Sequence, residues 1–260
     1  INRNLLSVMW SYEQQKKYLL LESRYMTYAD ACIVVSSKDK EHLKGINPLI
    51  RAEVVPIGVD TETYSPPQKR SFLYDLVFSG NLDYDPNHHA ALTLVNKVLP
   101  ELRKLVPGAR LGLIGKNPRK ELLNAARGDE NIIITGFVDN MVDYISRGKV
   151  YACPVEYGTG MPIKIMEAMS IGMAIVTYPK NIEEIPAWHG KHLIVSEGLD
   201  RFIKDVAKLI EDEQLRDRLG REARNLVVNE FTWAVAAERL DKILSLAVGR
   251  ARKRIDNAKD

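Results

Sequence analysis

Between Asp75 and Ser196, six short apolar or β-branched runs, DLVFSG, ARLGLIG, NIIITGF, KVYACPV, MAIVTYP and HLIVS, are separated by helical or loop segments. Strands that alternate with helices build parallel sheets covered on both faces. Upstream, residues 56–67 hold three prolines, one glycine and no hydrophobic period, which is linker composition. Together these features predict an α/β protein with a Rossmann-like parallel sheet, preceded by part of a second domain of the same kind.

The elements follow in order. Residues 10–29 place Tyr18, Leu21, Tyr25 and Tyr28 at helical spacing, and the run ACIVVSS that follows reads as a buried strand. Ser36, Ser37 and Lys38 open a short helix to about Lys44, and AEVVPIGVD supplies another strand. This gives an N-terminal piece at 1–56, a linker at 57–72 and a regular domain at 73–230. Inside that domain, 87–105 carries Ala91, Leu94, Val95, Val98 and Leu102 on one helical stripe. A further helix runs over 162–171 with Pro162 at its first position, where helices tolerate proline. Residues 199–254 read as helical throughout, with Phe202, Val206 and Leu209 in one segment and Val235, Leu240, Ile243, Leu244 and Leu246 in the last. The closing helix, 231–260, is expected to return towards the N-terminal piece.

Composition narrows the function. With 45% hydrophobic and 27% charged residues in 260, the chain can bury a core and is not disordered. A net charge of +3 provides no global field for nucleic acid. No apolar run reaches the ~18 residues that span a bilayer, and no signal peptide is recognisable. Cys32 and Cys153 both sit in apolar runs, as buried thiols in a reducing compartment would. The chain begins at Ile1 and is expected to belong to a longer protein.

The stretch EYGTGMPIKIMEAMSIG, from Glu156 to Gly172, is the richest in chemistry. It places a glycine-bearing loop between a strand and a helix, where ligands bind in doubly wound sheets and where free N–H groups favour an anion. Gly158 and Gly160 allow close backbone approach. Glu167 is a lone carboxylate on an otherwise apolar helix, three residues after Lys164. It either pairs with Lys164 or a neighbouring loop, or accepts hydrogen bonds from ribose hydroxyls.

The run GTGMPIKIMEAMSIGMAIV resembles the donor-site segment of glycosyltransferase family 4, retaining enzymes of GT-B architecture, and VPIGVDTETY resembles that family's linker. The resemblance implies two Rossmann-like domains, with this chain supplying the end of the acceptor domain and all of the donor domain. It implies that Glu167 binds the ribose of a nucleotide-diphosphate sugar such as a UDP- or GDP-sugar, that Thr159 stands where the family has a Glu facing the sugar, and that Gly160, Met161 and Pro162 face the diphosphate and sugar. Gly80, in FSGNLDYDPN, matches the glycine brought against the diphosphate. Asn81 replaces the usual Arg, which makes Lys164 the leading phosphate cation with Lys116 behind it. Gly115, Gly136, Phe137 and Val138 match the loops that hold the base. Each glycine is also readable as a plain turn residue, Met161 and Pro162 as packing and helix-start residues, and His88 and His89 as ordinary first-turn residues.

The expected function is therefore retaining, metal-independent sugar transfer in polysaccharide biosynthesis, with no further cofactor, no nucleic acid partner and a glycan or lipid-linked acceptor. The isolated chain is expected to bind donor without transferring it. A nucleotide-sugar binding or regulatory module is the alternative. The basic segment 249–254 reads as a solvated helix end or as a peripheral contact with an anionic membrane, consistent with a cytoplasmic protein at the inner membrane face.

Overall fold

The computed structural model describes residues 5–158 and 160–257, which divide into two compact units. One holds the described residues up to Ile57 with those from Ala234 on, and the other runs from Gly58 to Trp233.

The first unit contains α1 (Leu5–Tyr25), β1 (Cys32–Val34), α2 (Ser37–Ile46) and β2 (Ala52–Val54), the two strands pairing in parallel with Ile33 opposite Glu53. Ser36 caps α2, its hydroxyl accepting from the Asp39 amide at 3.1 Å. The core is Leu43, Ile50 and Ala52, with Met26, Cys32, Val34 and Ile46 packed on it. Tyr18, Leu21, Tyr25 and Tyr28 are exposed, because so small a sheet offers this stripe little apolar surface.

The second unit is built from β3 (Tyr74–Ser79), α3 (Asp85–Thr93), α4 (Leu99–Leu105), β4 (Leu111–Ile114), α5 (Lys120–Ala125), β5 (Ile132–Ile134) and α6 (Met141–Ile145). It continues with β6 (Gly148–Cys153), α7 (Ile163–Ser170), β7 (Ala174–Thr177), β8 (Ile194–Val195), α8 (Leu199–Glu211) and α9 (Glu213–Glu230). The six strands are all parallel in the order β5-β4-β3-β6-β7-β8. Every residue of β4 and β7 is buried, as a sheet covered on both faces requires. The last helix, α10 (Trp233–Asn257), falls almost wholly in the first unit, where Arg250 donates to the Asp30 carbonyl and Arg254 pairs with the Asp30 carboxylate.

Helical segments that look continuous in sequence are interrupted. The expected helix over 87–105 contains a π-turn at Leu94–Val98, with the Leu99 amide reaching the Leu94 carbonyl. Pro100 supplies the reason: it has no N–H and its ring would strike the carbonyl four residues back in an unbroken helix. The expected helix over 199–254 breaks twice. At Asp212 the side chain accepts from the Leu215 amide at 2.8 Å and starts α9. At Phe231–Thr232 the chain leaves the helix, and Val59 pairs with Thr232.

Residues 58–72 lie along the second unit. Arg70 donates to the Ile171 and Gly172 carbonyls at 2.9 and 2.7 Å, the Ser170 hydroxyl to the Tyr64 carbonyl at 2.6 Å, and Arg224 to the Ser170 and Tyr64 carbonyls. The chain leaving Ile57 is thus tied to the C-terminal turn of α7.

Candidate functional site

The strand order reverses between β3 and β6. Consecutive crossovers leave those two central strands in opposite directions, opening a crevice at their carboxyl ends. Two segments border it: residues 80–84 after β3, and residues 154–162 after β6.

The first segment is held by its neighbours. Gly80 donates to the Ile114 carbonyl at 3.0 Å and Leu82 to the Lys116 carbonyl at 2.9 Å. Gly115 comes so close that a Cβ there would lie 1.8 Å from the Gly80 carbonyl oxygen. Gly115 is therefore required for packing as well as for its positive φ. Asn81 is exposed, and its carbonyl accepts from the side-chain Nδ2 of the buried Asn87 at 3.0 Å.

Lys164 enters from the first turn of α7. Its ammonium donates to the Asn87 side-chain carbonyl and lies 4.8 Å from the centre of the Phe78 ring. A Cβ on Gly80 would meet this nitrogen at 3.4 Å, so the lysine head stands beside the Gly80 backbone. Burial lowers the Lys164 pKa, and the nearby Cys153 and Glu167 act against that. A half-buried cation whose hydrogen-bond partner is a neutral amide and whose other neighbour is a ring face retains attraction for an anion.

Glu167, half-buried one turn further along α7, stands close to the Tyr64 side chain. Burial raises its carboxyl above the ordinary range, while the nearby Tyr64 hydroxyl and the Lys164 charge pull it back. The Tyr64 phenol is itself pushed up to about 12, by burial and then by the Glu167 charge. The spacing of Lys164 and Glu167 suggests a mutual pair. In the fold the lysine bonds Asn87, and the carboxylate stands near Tyr64.

The second segment is anchored through side chains. Asn181 donates to the Val155 carbonyl at 2.9 Å, and the Tyr157 hydroxyl donates to Asp85 at 2.7 Å. Arg119 bonds the same Asp85 at 3.1 Å. Gly158 and Gly160 have φ of +137° and +92°, and a Cβ on Gly160 would meet nothing within 4 Å. Thr159 lies outside the described residues. Met161 is half-buried and packs on the core. Pro162 stands at the N-cap of α7 rather than at its first helical position, and its carbonyl accepts from Ile165 at 2.9 Å.

On the other side of β3, Gly115 bridges Gly136, and the Thr135 hydroxyl joins them, accepting from the Gly115 amide at 3.2 Å and donating to the Gly136 carbonyl at 2.9 Å. Gly136 faces open space, Phe137 is 73% exposed, and Val138 is half-buried against the core. Lys116 is exposed. His88 is buried against Glu121 at 3.1 Å, and the His89 ring packs tilted against Tyr157 at 5.6 Å between ring centres. A separate cleft lined by Glu197, Gly198, Asp200, Arg201 and Lys204 lies beyond β8, at the edge of the sheet.

Three participants escape the sequence reading: Asn87, Tyr64 and the Tyr157–Asp85–Arg119 group. Asn87 stands in the DYDPN run and Tyr64 in VDTETY, but their partners are 77 and 103 positions away, and no local pattern reports such distances.

The fold is a doubly wound α/β sheet whose crevice holds a cation beside glycine backbone. Residues 74–212 match the family described as glycosyl transferases group 1, and the chain belongs to that family. It is 26% identical over 237 residues, 83% of its length, to the GDP-mannose-dependent alpha-(1-6)-phosphatidylinositol monomannoside mannosyltransferase of Mycobacterium tuberculosis. The chain spans 61% of that relative's length. Among solved structures, sucrose-phosphate synthase from Thermosynechococcus elongatus superposes with a TM-score of 0.65 at 18% identity, covering 94% of this chain and 62% of that one. Anabaena HepE in complex with UDP and glucose superposes with a TM-score of 0.68 at 15% identity, covering 84% and 63%. These neighbours are GT-B glycosyltransferases, and the α/β architecture with its parallel sheet is of that type.

Proposed function

We propose that the crevice between β3 and β6 binds a nucleotide-diphosphate sugar, GDP-mannose being favoured by the mannosyltransferase relatives, and that the protein transfers the sugar with retained configuration to a glycan or lipid-linked acceptor. The observation that carries this reading is the Lys164 ammonium beside the Gly80 backbone, at the place where the strand order reverses.

In this reading the diphosphate lies along Gly80 and the start of α7. Lys164 faces the negative charge that grows on the leaving diphosphate, in a partly buried site where such charge is stabilised more than in water. Helix-end N–H groups and Lys164 balance that charge without a metal. Glu167 accepts from the ribose hydroxyls, Gly160, Met161 and Pro162 border the diphosphate and sugar, and the Gly115–Gly136–Phe137–Val138 rim receives the base. Any contact with an anionic membrane falls to Arg252 and Lys253, since Arg250 and Arg254 engage Asp30. That placement accords with a cytoplasmic protein at the inner membrane face.

The test is titration of the chain and of Glu167→Gln with GDP, UDP and their mannose and glucose conjugates, with and without EDTA. The substitution is expected to weaken binding by about 1.5–3 kcal/mol, the size of a hydrogen bond to a charged group. The melting temperature does not fall, because burial already opposes the Glu167 charge. Unchanged affinity per folded molecule would make Glu167 structural. A strict magnesium requirement for nucleotide binding would overturn the metal-free reading.

A further inference from the structure

The lysine head beside Gly80 is gripped by a side chain from the β3 side of the crevice. Asn87 stands in the first turn of α3, where its backbone amide donates to the Tyr84 carbonyl at 2.9 Å, and it is 6% exposed. Its Nδ2 donates to the Asn81 carbonyl at 3.0 Å, and its Oδ1 accepts from the Lys164 ammonium. A carbonyl can only accept and an ammonium can only donate, so the side-chain amide fits in one orientation, nitrogen towards Asn81 and oxygen towards Lys164. Gly80 makes room for it: a Cβ there would lie 2.7 Å from Asn87 Nδ2 and 3.4 Å from Lys164 Nζ.

We infer that Asn87 is a positioning residue of the diphosphate site, a neutral clamp that holds the Lys164 ammonium beside the Gly80 backbone without cancelling its charge. The inference rests on the reading of Lys164 as the diphosphate cation and adds the residue through which that cation is set. A carboxylate in the same place would hold the lysine more firmly but would neutralise the field that draws an anion. An apolar side chain would leave the field and lose the grip. The amide carries donor and acceptor on separate atoms, one for the Asn81 carbonyl and one for the ammonium.

The clamp has a consequence for the lysine's own titration. The groups acting on Lys164 are the Cys153 thiol at the end of β6, Glu167 on its own helix, the Phe78 ring on β3 and the Asn87 amide on α3. Burial lowers the Lys164 pKa, with Cys153 and Glu167 opposing the fall. Burial also pushes the Cys153 thiol up, which keeps it uncharged at neutral pH. Asn87 accepts from the charged form of the amine and so favours that form. Leucine in its place removes the bond, and the amine loses its proton at lower pH than in the parent. Aspartate adds an opposite charge, and the proton is held to higher pH. A residue that merely packs would not displace the lysine in opposite directions.

The test uses the whole chain as the parent, Asn87→Leu, Asn87→Asp, Lys164→Met and the variant carrying both Asn87→Leu and Lys164→Met. GDP affinity is measured by calorimetry at neutral pH. The Lys164 amine is titrated into the alkaline range by NMR of isotopically labelled lysine Cε, its signal being the one lost in Lys164→Met. Asn87→Leu is expected to bind GDP about five- to tenfold more weakly, the size of one hydrogen bond, with the lysine titration displaced to lower pH. Asn87→Asp is expected to lose about tenfold or more, with the titration displaced to higher pH. Aspartate has nearly the shape of asparagine, so this variant reads the clamp independently of how well the leucine variant folds. In the Lys164→Met background Asn87→Leu is expected to have little further effect on GDP. A lysine titration left unmoved, or moved the same way by both substitutions, would overturn the inference. So would an equal loss of GDP affinity from Asn87→Leu in both backgrounds, since Asn87 would then act through the Asn81 backbone. If Lys164→Met itself binds GDP as the parent does, the reading of Lys164 as the diphosphate cation fails first and the role of Asn87 falls with it.

Discussion

The two segments that border the crevice look alike in sequence, each a strand end followed by glycine and a helix, yet they are held in different ways. The segment after β3 is fastened through backbone groups: Gly80 to Ile114, Leu82 to Lys116, and the Gly80 carbonyl against Gly115. The segment after β6 is fastened through side chains near its start, Asn181 to Val155 and Tyr157 to Asp85, with Gly158 and Gly160 in left-handed conformation beyond them. One wall is therefore fixed along its backbone, and the other is held by side chains near its start. Lys164 joins them: it grows from the helix after β6 and ends against Asn87 and Gly80 on the β3 side.

The sharpest break of this contrast is Gly115→Ala. Its Cβ would lie 1.8 Å from the Gly80 carbonyl, a backbone atom unable to move aside. Urea unfolding is expected to show a loss of about 3 kcal/mol or more, as for other severe steric changes, with nucleotide binding lost alongside. Gly160→Val stands opposite: its side chain enters open space, so the fold loses only the ~1–2 kcal/mol of a left-handed residue while nucleotide-sugar binding is abolished. Gly108→Ala, also at positive φ in open space but in the turn before β4, is the control and leaves binding intact. Equal effects of the Gly160 and Gly108 changes on binding would remove the anion from residues 158–162.

Lys164→Met comes next. GDP affinity is expected to drop by about 2 kcal/mol, the scale of a charge-assisted bond, while thermal stability stays level or rises, since burial already disfavours the ammonium. In the parent the amine loses its proton at lower pH than an ordinary lysine, so diphosphate affinity declines as pH rises through that lowered pKa. The Met variant lacks this alkaline limb. The smallest effect belongs to Tyr157→Phe, which frees the second segment from Asp85. A roughly threefold loss in donor affinity with an unchanged melting temperature is expected for one exposed hydrogen bond.

Much of the scaffold was legible because burial writes itself locally: strands covered on both faces appear as short apolar runs, and all six did. Helix interruptions were harder. Pro100 was visible, but that it would be absorbed by a π-turn inside the 87–105 helix depends on how α3 and α4 both pack on the sheet. Glu167 and Lys164 were legible as charges on an apolar helix. Their partners, Tyr64 and Asn87, were not, because both contacts are created by tertiary folding. The glycines divide in the same way: Gly115 is demanded by a neighbour 35 positions away, Gly160 and Gly136 by their own positive φ in open space, and sequence alone gives all three the same appearance.

Backbone amide mapping by NMR during titration with GDP tests the central claim most directly. If the diphosphate sits where the strand order reverses, the largest shifts fall on Gly80, Gly160 and the Ile163–Lys164 amides, with smaller ones at Gly136 and Phe137, and they disappear in Lys164→Met at the same GDP concentration. Shifts confined to the cleft at Glu197–Lys204, or spread over the first unit with Gly80 and Lys164 unmoved, would contradict it.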